Sequence, residues 1–128
     1  MPLVRISVRE GMSAAQRVAI GEGIHQAMLE TINVPPDDRF QVISEHTAEG
    51  LIYDAKYLGI ARSDGYVLIQ ITLNQGRTVE MKRALYRRIA ERLAQDPGVR
   101  KEDVMVNLVE VPKENWSFGN GEASYAKP

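Results

Sequence analysis

Hydrophobic and polar positions fall into two rhythms along this chain, and each rhythm occurs twice. Leu3-Val4-Arg5-Ile6-Ser7-Val8 is short, β-branched and apolar, as a largely buried strand should be. Ile20, Ile24, Met28 and Ile32 then recur every four positions, which gives a helix one buried face. Ser13-Ala14-Ala15-Gln16 has the capping-box pattern that opens such a helix. Asn33 to Pro36 closes it, because proline cannot continue a helix and restricts its predecessor. Phe40-Gln41-Val42-Ile43 reads as the next strand.

The same succession returns at an offset of 65 residues. Leu3 to Val8 lies against Leu68 to Leu73; Ile20, Ile24 and Met28 lie against Leu85, Ile89 and Leu93. Gly11 falls on Gly76, Ser13 on Thr78, Val34 on Val99, Asp38 on Asp103 and Glu45 on Glu110. A gapless register across strand, turn, helix and strand indicates duplication. The second unit predicts a strand over 67–73, a helix from about Thr78 to Ala94, a stop at Pro97-Gly98 and a strand over 104–110. A strand, a crossover helix and a parallel strand form a right-handed unit. The fold class is therefore α/β (α+β): duplicated β-α-β units, a four-stranded sheet and two helices on one face. One domain over 1–128 is expected. Its first unit spans about 2–45, a linker 46–65, the second unit about 66–110 and a tail 111–128. The linker and the tail read as breaking the symmetry. The tail carries Trp116, Phe118 and Tyr125 and is too aromatic for a disordered linker, so it should dock on its own core or on a neighbour.

Composition narrows the function more than the fold. A length of 128 residues suits a single core. A net charge of -1 and a pI near 6.1 give no sign of a nucleic-acid or membrane partner. The absence of cysteine removes disulfides, zinc–thiolate sites and thiol catalysis. No apolar run approaches the roughly 18 residues of a membrane span. Arg5, Arg9 and Glu10 interrupt any signal-peptide pattern, so a cytoplasmic protein is expected.

Pro2 is the first candidate for chemistry. Methionine before a small residue is normally removed, and removal of Met1 would leave a secondary amine at the start of a core strand. An α-amino group titrates far below lysine, so it can act near neutral pH as base, nucleophile or acid. By position alone, a proline at the second residue is more often an accident than a catalytic group. His25 reads as an ordinary, partly exposed helix residue, and His46 has no partner at metal-ligand spacing. Gly21-Glu22-Gly23 lies inside the helix and is no phosphate loop; it costs helix stability and allows close packing.

Four segments then carry a resemblance: Pro2-Leu3, Val34-Pro35-Pro36-Asp37-Asp38-Arg39-Phe40-Gln41, Gln75-Gly76-Arg77-Thr78 and Asn115-Trp116-Ser117-Phe118-Gly119. With these the chain resembles the tautomerase superfamily, and within it the malonate semialdehyde decarboxylase group. Some members of that group carry two arginines near the second strand-to-helix turn. This chain offers only Arg77 there, beside Asn74 and Gln75, and looks like a single-arginine branch. The resemblance implies a homotrimer, a catalytic Pro2, a functional Asp38 and a substrate carboxylate held by Arg77. It implies no cofactor and no metal.

The residues themselves are compatible with those roles. Arg77 follows Gly76 at a strand-to-helix turn, where backbone N–H groups favour anions and a guanidinium can clamp a carboxylate with two hydrogen bonds. A solvated arginine is the alternative. Asp38 is either a functional acid or a turn residue, and its match to Asp103 favours the turn. Trp116 and Phe118 alternate and can face one pocket wall, with Tyr125 a further candidate; core packing or subunit contact is the alternative. The expected activity is cofactor-free decarboxylation of malonate semialdehyde or a similar short oxo acid. Keto–enol tautomerism of a 2-oxo acid such as phenylpyruvate, hydration of an unsaturated or halogenated acid, and a non-catalytic binding protein on the same scaffold are the alternatives.

Overall fold

The computed structural model describes residues 2–126. The expected loss of Met1 and the last two residues of the tail lie outside them. Strand β1 (Leu3–Arg9), helix α1 (Ala14–Ile32) and strand β2 (Phe40–His46) form the first unit; β3 (Val67–Asn74), α2 (Val79–Gln95) and β4 (Val104–Val111) form the second. The sheet order is β2-β1-β3-β4. Each unit is internally parallel, with Leu3 opposite Phe40 and its repeat counterpart Leu68 opposite Met105. The two units join antiparallel through β1 and β3, where Arg5 faces Gln70. Those two residues are themselves counterparts in the repeat, so a local twofold axis passes between them.

Alternation in the strands sends Val4, Ile6 and Val8 of β1, and Val67, Ile69, Ile71 and Leu73 of β3, to one face. There they meet Ile20, Ile24 and Met28 of α1 and Leu85, Ile89 and Leu93 of α2, all essentially buried. Local chemistry sets the helix ends. Ser13 and Gln16 form the reciprocal capping box, with bonds of 3.1 and 2.8 Å, and Asn33 closes α1 in the left-handed conformation. Thr78 caps α2 through the Met81 N–H. A Cβ on Gly21 would lie 2.6 Å from Gln41 Oε1, and one on Gly23 would lie 3.0 Å from Leu93 Cδ2. The glycines thus let α1 approach β2 and α2 closely.

Two expectations need correction. His25 is 3% exposed, because the loop leaving α1 folds back over it; its Nε2–H donates to the Pro36 carbonyl at 2.9 Å. The linker and tail also share more of the repeat than their sequences suggest. Glu10 N–H bonds to His46 O and Gln75 N–H to Val111 O, and the next turns repeat as Gly50 to Thr47 and Asn115 to Pro112. All four donors and acceptors keep the 65-residue offset. Backbone hydrogen bonds do not depend on side-chain identity, so this symmetry persists where the sequence match is lost.

Candidate active site

One end of the sheet collects the start of β1, the start of β2 and the end of β3. Pro2 is buried there, one residue before Leu3 pairs with Phe40 on one side and Thr72 on the other. Beyond Asn74, the last residue of β3, Gly76 has φ 120°, a left-handed conformation that glycine adopts without strain. The chain thereby turns sharply enough to set Arg77 just before the Thr78 cap of α2.

Arg77 is half-buried. Its Nη1 donates to the Asn74 carbonyl at 3.0 Å. Its Nε is buried without a partner among the described residues. Burial disfavours the guanidinium charge and lowers its pKa, while the negative charge of Glu110 acts the other way. Glu110 is itself engaged by Lys82 at 2.8 Å. A desolvated cation with an unsatisfied donor is suited to an anionic ligand.

Asn74 connects this arginine to the tail. Its side-chain Oδ1 accepts the Trp116 Nε1–H at 2.8 Å. The Trp116 ring stacks on Phe118 with centroids 5.5 Å apart, and Phe118 meets the edge of Tyr125 at 4.9 Å. The tail therefore docks on its own chain, one of the two placements its aromatic content allows. Phe118 and Tyr125 nevertheless stay 37% and 42% exposed, so they form one wall of the site and leave the other side open. Together with Pro35, Asp37, Asp38 and Phe40 they line a cleft of about 360 Å³.

Asp38 reaches that cleft from a turn closed by its N–H on Pro35 O at 3.0 Å. Burial raises its pKa first, and the neighbouring Asp37 adds to the shift. Asp103 makes the same backbone turn through Arg100 O. Its carboxylate points inward instead. It is 2% exposed and accepts from Ser63 N and Ser63 Oγ at 2.7 and 2.6 Å. The shared turn accounts for the repeat match; Asp38 lines the cleft beside Phe118 and Tyr125, whereas the Asp103 carboxylate is committed to Ser63. Asn74 and Phe40 belong to this region, although neither has a role legible in the sequence: Asn74 stands there only as a neighbour of Arg77, and Phe40 only within the 34–41 segment. The only signals were an asparagine ending a strand and an aromatic residue opening one, neither of which is specific.

Two family models, both described as tautomerase enzyme, match residues 38–119 and residues 2–61. The chain belongs to the tautomerase family. Its relatives include the probable tautomerase YusQ of Bacillus subtilis (strain 168), 48% identical over 96% of this chain and 97% of that protein. The probable tautomerase YrdN of the same organism is 34% identical over 98% of this chain and 96% of that one. Among solved structures, the FG41 malonate semialdehyde decarboxylase inhibited by 3-bromopropiolate superposes with a TM-score of 0.91 at 36% identity, covering 96% of this chain and 93% of that one. A second malonate semialdehyde decarboxylase, studied for its decarboxylase and hydratase activities, gives 0.89 at 32% identity over 95% and 94%. A fused 4-OT symmetric trimer gives 0.78 at 26% identity over 97% and 99%. Among the described residues of this tautomerase-family chain, no cluster of three or more His, Asp or Glu can hold a metal ion, and no helix is long and apolar enough to cross a membrane.

Proposed function

We propose that this tautomerase-family chain is a cofactor-free decarboxylase of malonate semialdehyde or a similar short oxo acid. The observation that carries the reading is the half-buried Arg77, with its buried and unpartnered Nε, at the same sheet end as the buried Pro2. The likeness to two malonate semialdehyde decarboxylases supports it. In this reading Arg77 holds the substrate carboxylate through two charge-assisted hydrogen bonds. Pro2, freed as a secondary amine, donates a proton to the aldehyde oxygen or condenses with the carbonyl carbon to an iminium, releasing water. The bond between the carboxylate carbon and its neighbour breaks, and its electron pair moves into the polarised carbonyl or iminium as carbon dioxide leaves. The enol or enamine then takes a proton; an iminium is hydrolysed, and the product is the shortened aldehyde. In this reading Asp38, whose pKa burial raises, holds a water or shares that proton.

A second reading, keto–enol tautomerism of a 2-oxo acid with neutral Pro2 as the base, is supported by the relatives named probable tautomerases. Hydration of an unsaturated or halogenated acid is a third, supported by the hydratase activity named for one neighbour. For all three we infer a homotrimer, supported by the trimeric relative and by the open edges of β2 and β4.

The test is turnover of malonate semialdehyde, phenylpyruvate and 2-hydroxymuconate by protein whose intact mass shows Pro2 as the first residue and whose light scattering reads three chains. The expected result is carbon dioxide release from malonate semialdehyde, lost for the most part in Pro2→Ala. Faster turnover of phenylpyruvate with no decarboxylation would move the assignment to the second reading.

A further inference from the structure

A cavity of about 800 Å³, larger than the Pro2-end cleft, lies at the other end of the sheet. The repeat explains its position. Asp37, Phe40, Phe118 and Tyr125 line the Pro2-end cleft. Their counterparts at the 65-residue offset are Glu102, Met105, Tyr53 and Ile60, and all four line this larger cavity. The two spaces therefore overlap when one is turned about the local twofold axis, while Arg100 and Asp103, the counterparts of Pro35 and Asp38, line a separate pocket.

Their difference in size also has a physical cause. In the first unit the groove between helix and edge strand is closed. Gln41 lies across Gly21, donating from Nε2 to the Gly21 carbonyl at 2.8 Å, and His25 bonds to Pro36. The counterparts in the second unit are Val106, Tyr86 and Ala90. Val106 and Ala90 are too short to cross the gap, so the groove between β4 and α2 stays open and becomes part of the cavity.

The cavity holds an underused polar group. Tyr66 is 4% exposed and directly precedes Val67, the counterpart of Pro2. Its hydroxyl donates to Met105 Sδ at 2.9 Å, a weak acceptor for a buried phenol. The positive charge of Arg62 acts on the same phenol, against the larger effect of burial. Arg62 is held in place by its Nη1 on the Asp54 and Tyr57 carbonyls, both at 3.1 Å. The acids in the wall are occupied: Asp54 accepts from Lys56 N at 2.8 Å, and Glu102 pairs with Arg100 at 3.3 Å.

We infer that this cavity is a second, binding-only site for a small aromatic carboxylic acid, whose carboxylate takes the Tyr66 hydroxyl and the Arg62 charge while its ring lies against Tyr86, Ala90 and Val106. A cavity of this size with apolar walls and a few convergent polar groups has the make-up of a small-molecule site. It has no means of turnover. The nitrogen of Val67 is a chain amide, and the counterpart of Arg77 is Met12. The inference does not depend on which reaction occurs at the Pro2 end.

The test is calorimetric titration of the whole protein with 3-phenylpropionate, which has no oxo group to react with Pro2. The Arg77→Ala background disables the other end, and Trp116, the single tryptophan, reports on that end by fluorescence. One acid per chain should still bind to Arg77→Ala without changing Trp116 fluorescence. Tyr66→Phe should weaken that binding about fivefold, the worth of one hydrogen bond, and leave oxo-acid turnover unchanged in the otherwise wild-type chain. Ala90→Phe, which fills the groove, should abolish it while the melting temperature and the scattering mass hold. No binding in the Arg77→Ala background, or binding undiminished by both Tyr66→Phe and Ala90→Phe, would overturn the inference. So would a change of assembly mass in Ala90→Phe, which would show that a second copy of the chain covers the exposed rim at Ile52, Tyr57 and Leu58.

Discussion

Replacing Arg77 by alanine gives the sharpest test of the Pro2-end site. The guanidinium already commits Nη1 to the Asn74 carbonyl, so the edge made by Nε and Nη2 is what remains for a ligand. A carboxylate accepting from both would form two charge-assisted bonds, each worth roughly 1.5–3 kcal/mol. Removing one partner of a desolvated charged pair costs roughly 2–5 kcal/mol. Arg77 is only half-buried, so solvent screening places the loss in the lower part of that range. At about 1.4 kcal/mol per tenfold, kcat/KM for a short oxo acid should fall by a factor of about 30–300. Arg77→Lys keeps the charge and loses the planar fork, and should fall between alanine and wild type. Folding should change by no more than about 0.5 kcal/mol, because among the described residues Arg77 makes one hydrogen bond, to the Asn74 carbonyl, and its own burial is unfavourable. The assay is initial rates over a range of substrate, with a thermal melt of each variant. Normal turnover of acidic substrates by Arg77→Ala would refute the reasoning and turn attention to Asn74, Gln75, Arg5 or Arg39. Arg39 is the weaker of the two arginine alternatives, since its guanidinium is already paired with Glu22.

Two further outcomes follow from particular contacts. Gly21→Ala should bring no net gain in stability despite the better helix propensity of alanine, because the new Cβ lies 2.6 Å from Gln41 Oε1 and turns that side chain away from its bond to the Gly21 carbonyl; in a Gln41→Ala background the same change should stabilise by about 1 kcal/mol, and a gain of that size in the wild-type chain would contradict the packing described. The raised pKa of Asp38 means that the folded chain holds this proton more tightly than the unfolded one, so stability falls as pH rises from the unfolded pKa through the folded one. The melting temperature of Asp38→Asn should therefore improve relative to wild type between about pH 4 and about pH 7, and a difference that stays constant or reverses over that range would remove burial as the dominant effect on this acid.

Much of this architecture was legible from short-range pattern. A short β-branched apolar run, a period of four, a capping box and a proline stop are local, because each depends on contacts within a few residues. The 65-residue repeat then predicted two copies of one unit, and the observed β2-β1-β3-β4 sheet contains them. Arg77, Trp116 and Phe118 stood out through the family resemblance; on local sequence alone a solvated arginine and packed aromatics were equally ordinary readings. Their connection did not stand out, since Asn74 joins them through a bond spanning 42 residues and nothing local marks an asparagine for that role. The burial of His25 was hidden for a related reason: its cover comes from the Pro36 loop, which leaves the helix and returns to it. The cavity beyond Tyr66 was equally invisible. It exists because Val106 and Ala90 leave empty a groove that Gln41 and His25 close in the other unit, and only packing across the twofold axis brings those four positions into comparison. Side-chain period determined which residues face the core, and the three-dimensional meeting of distant segments decided where the chain keeps open space.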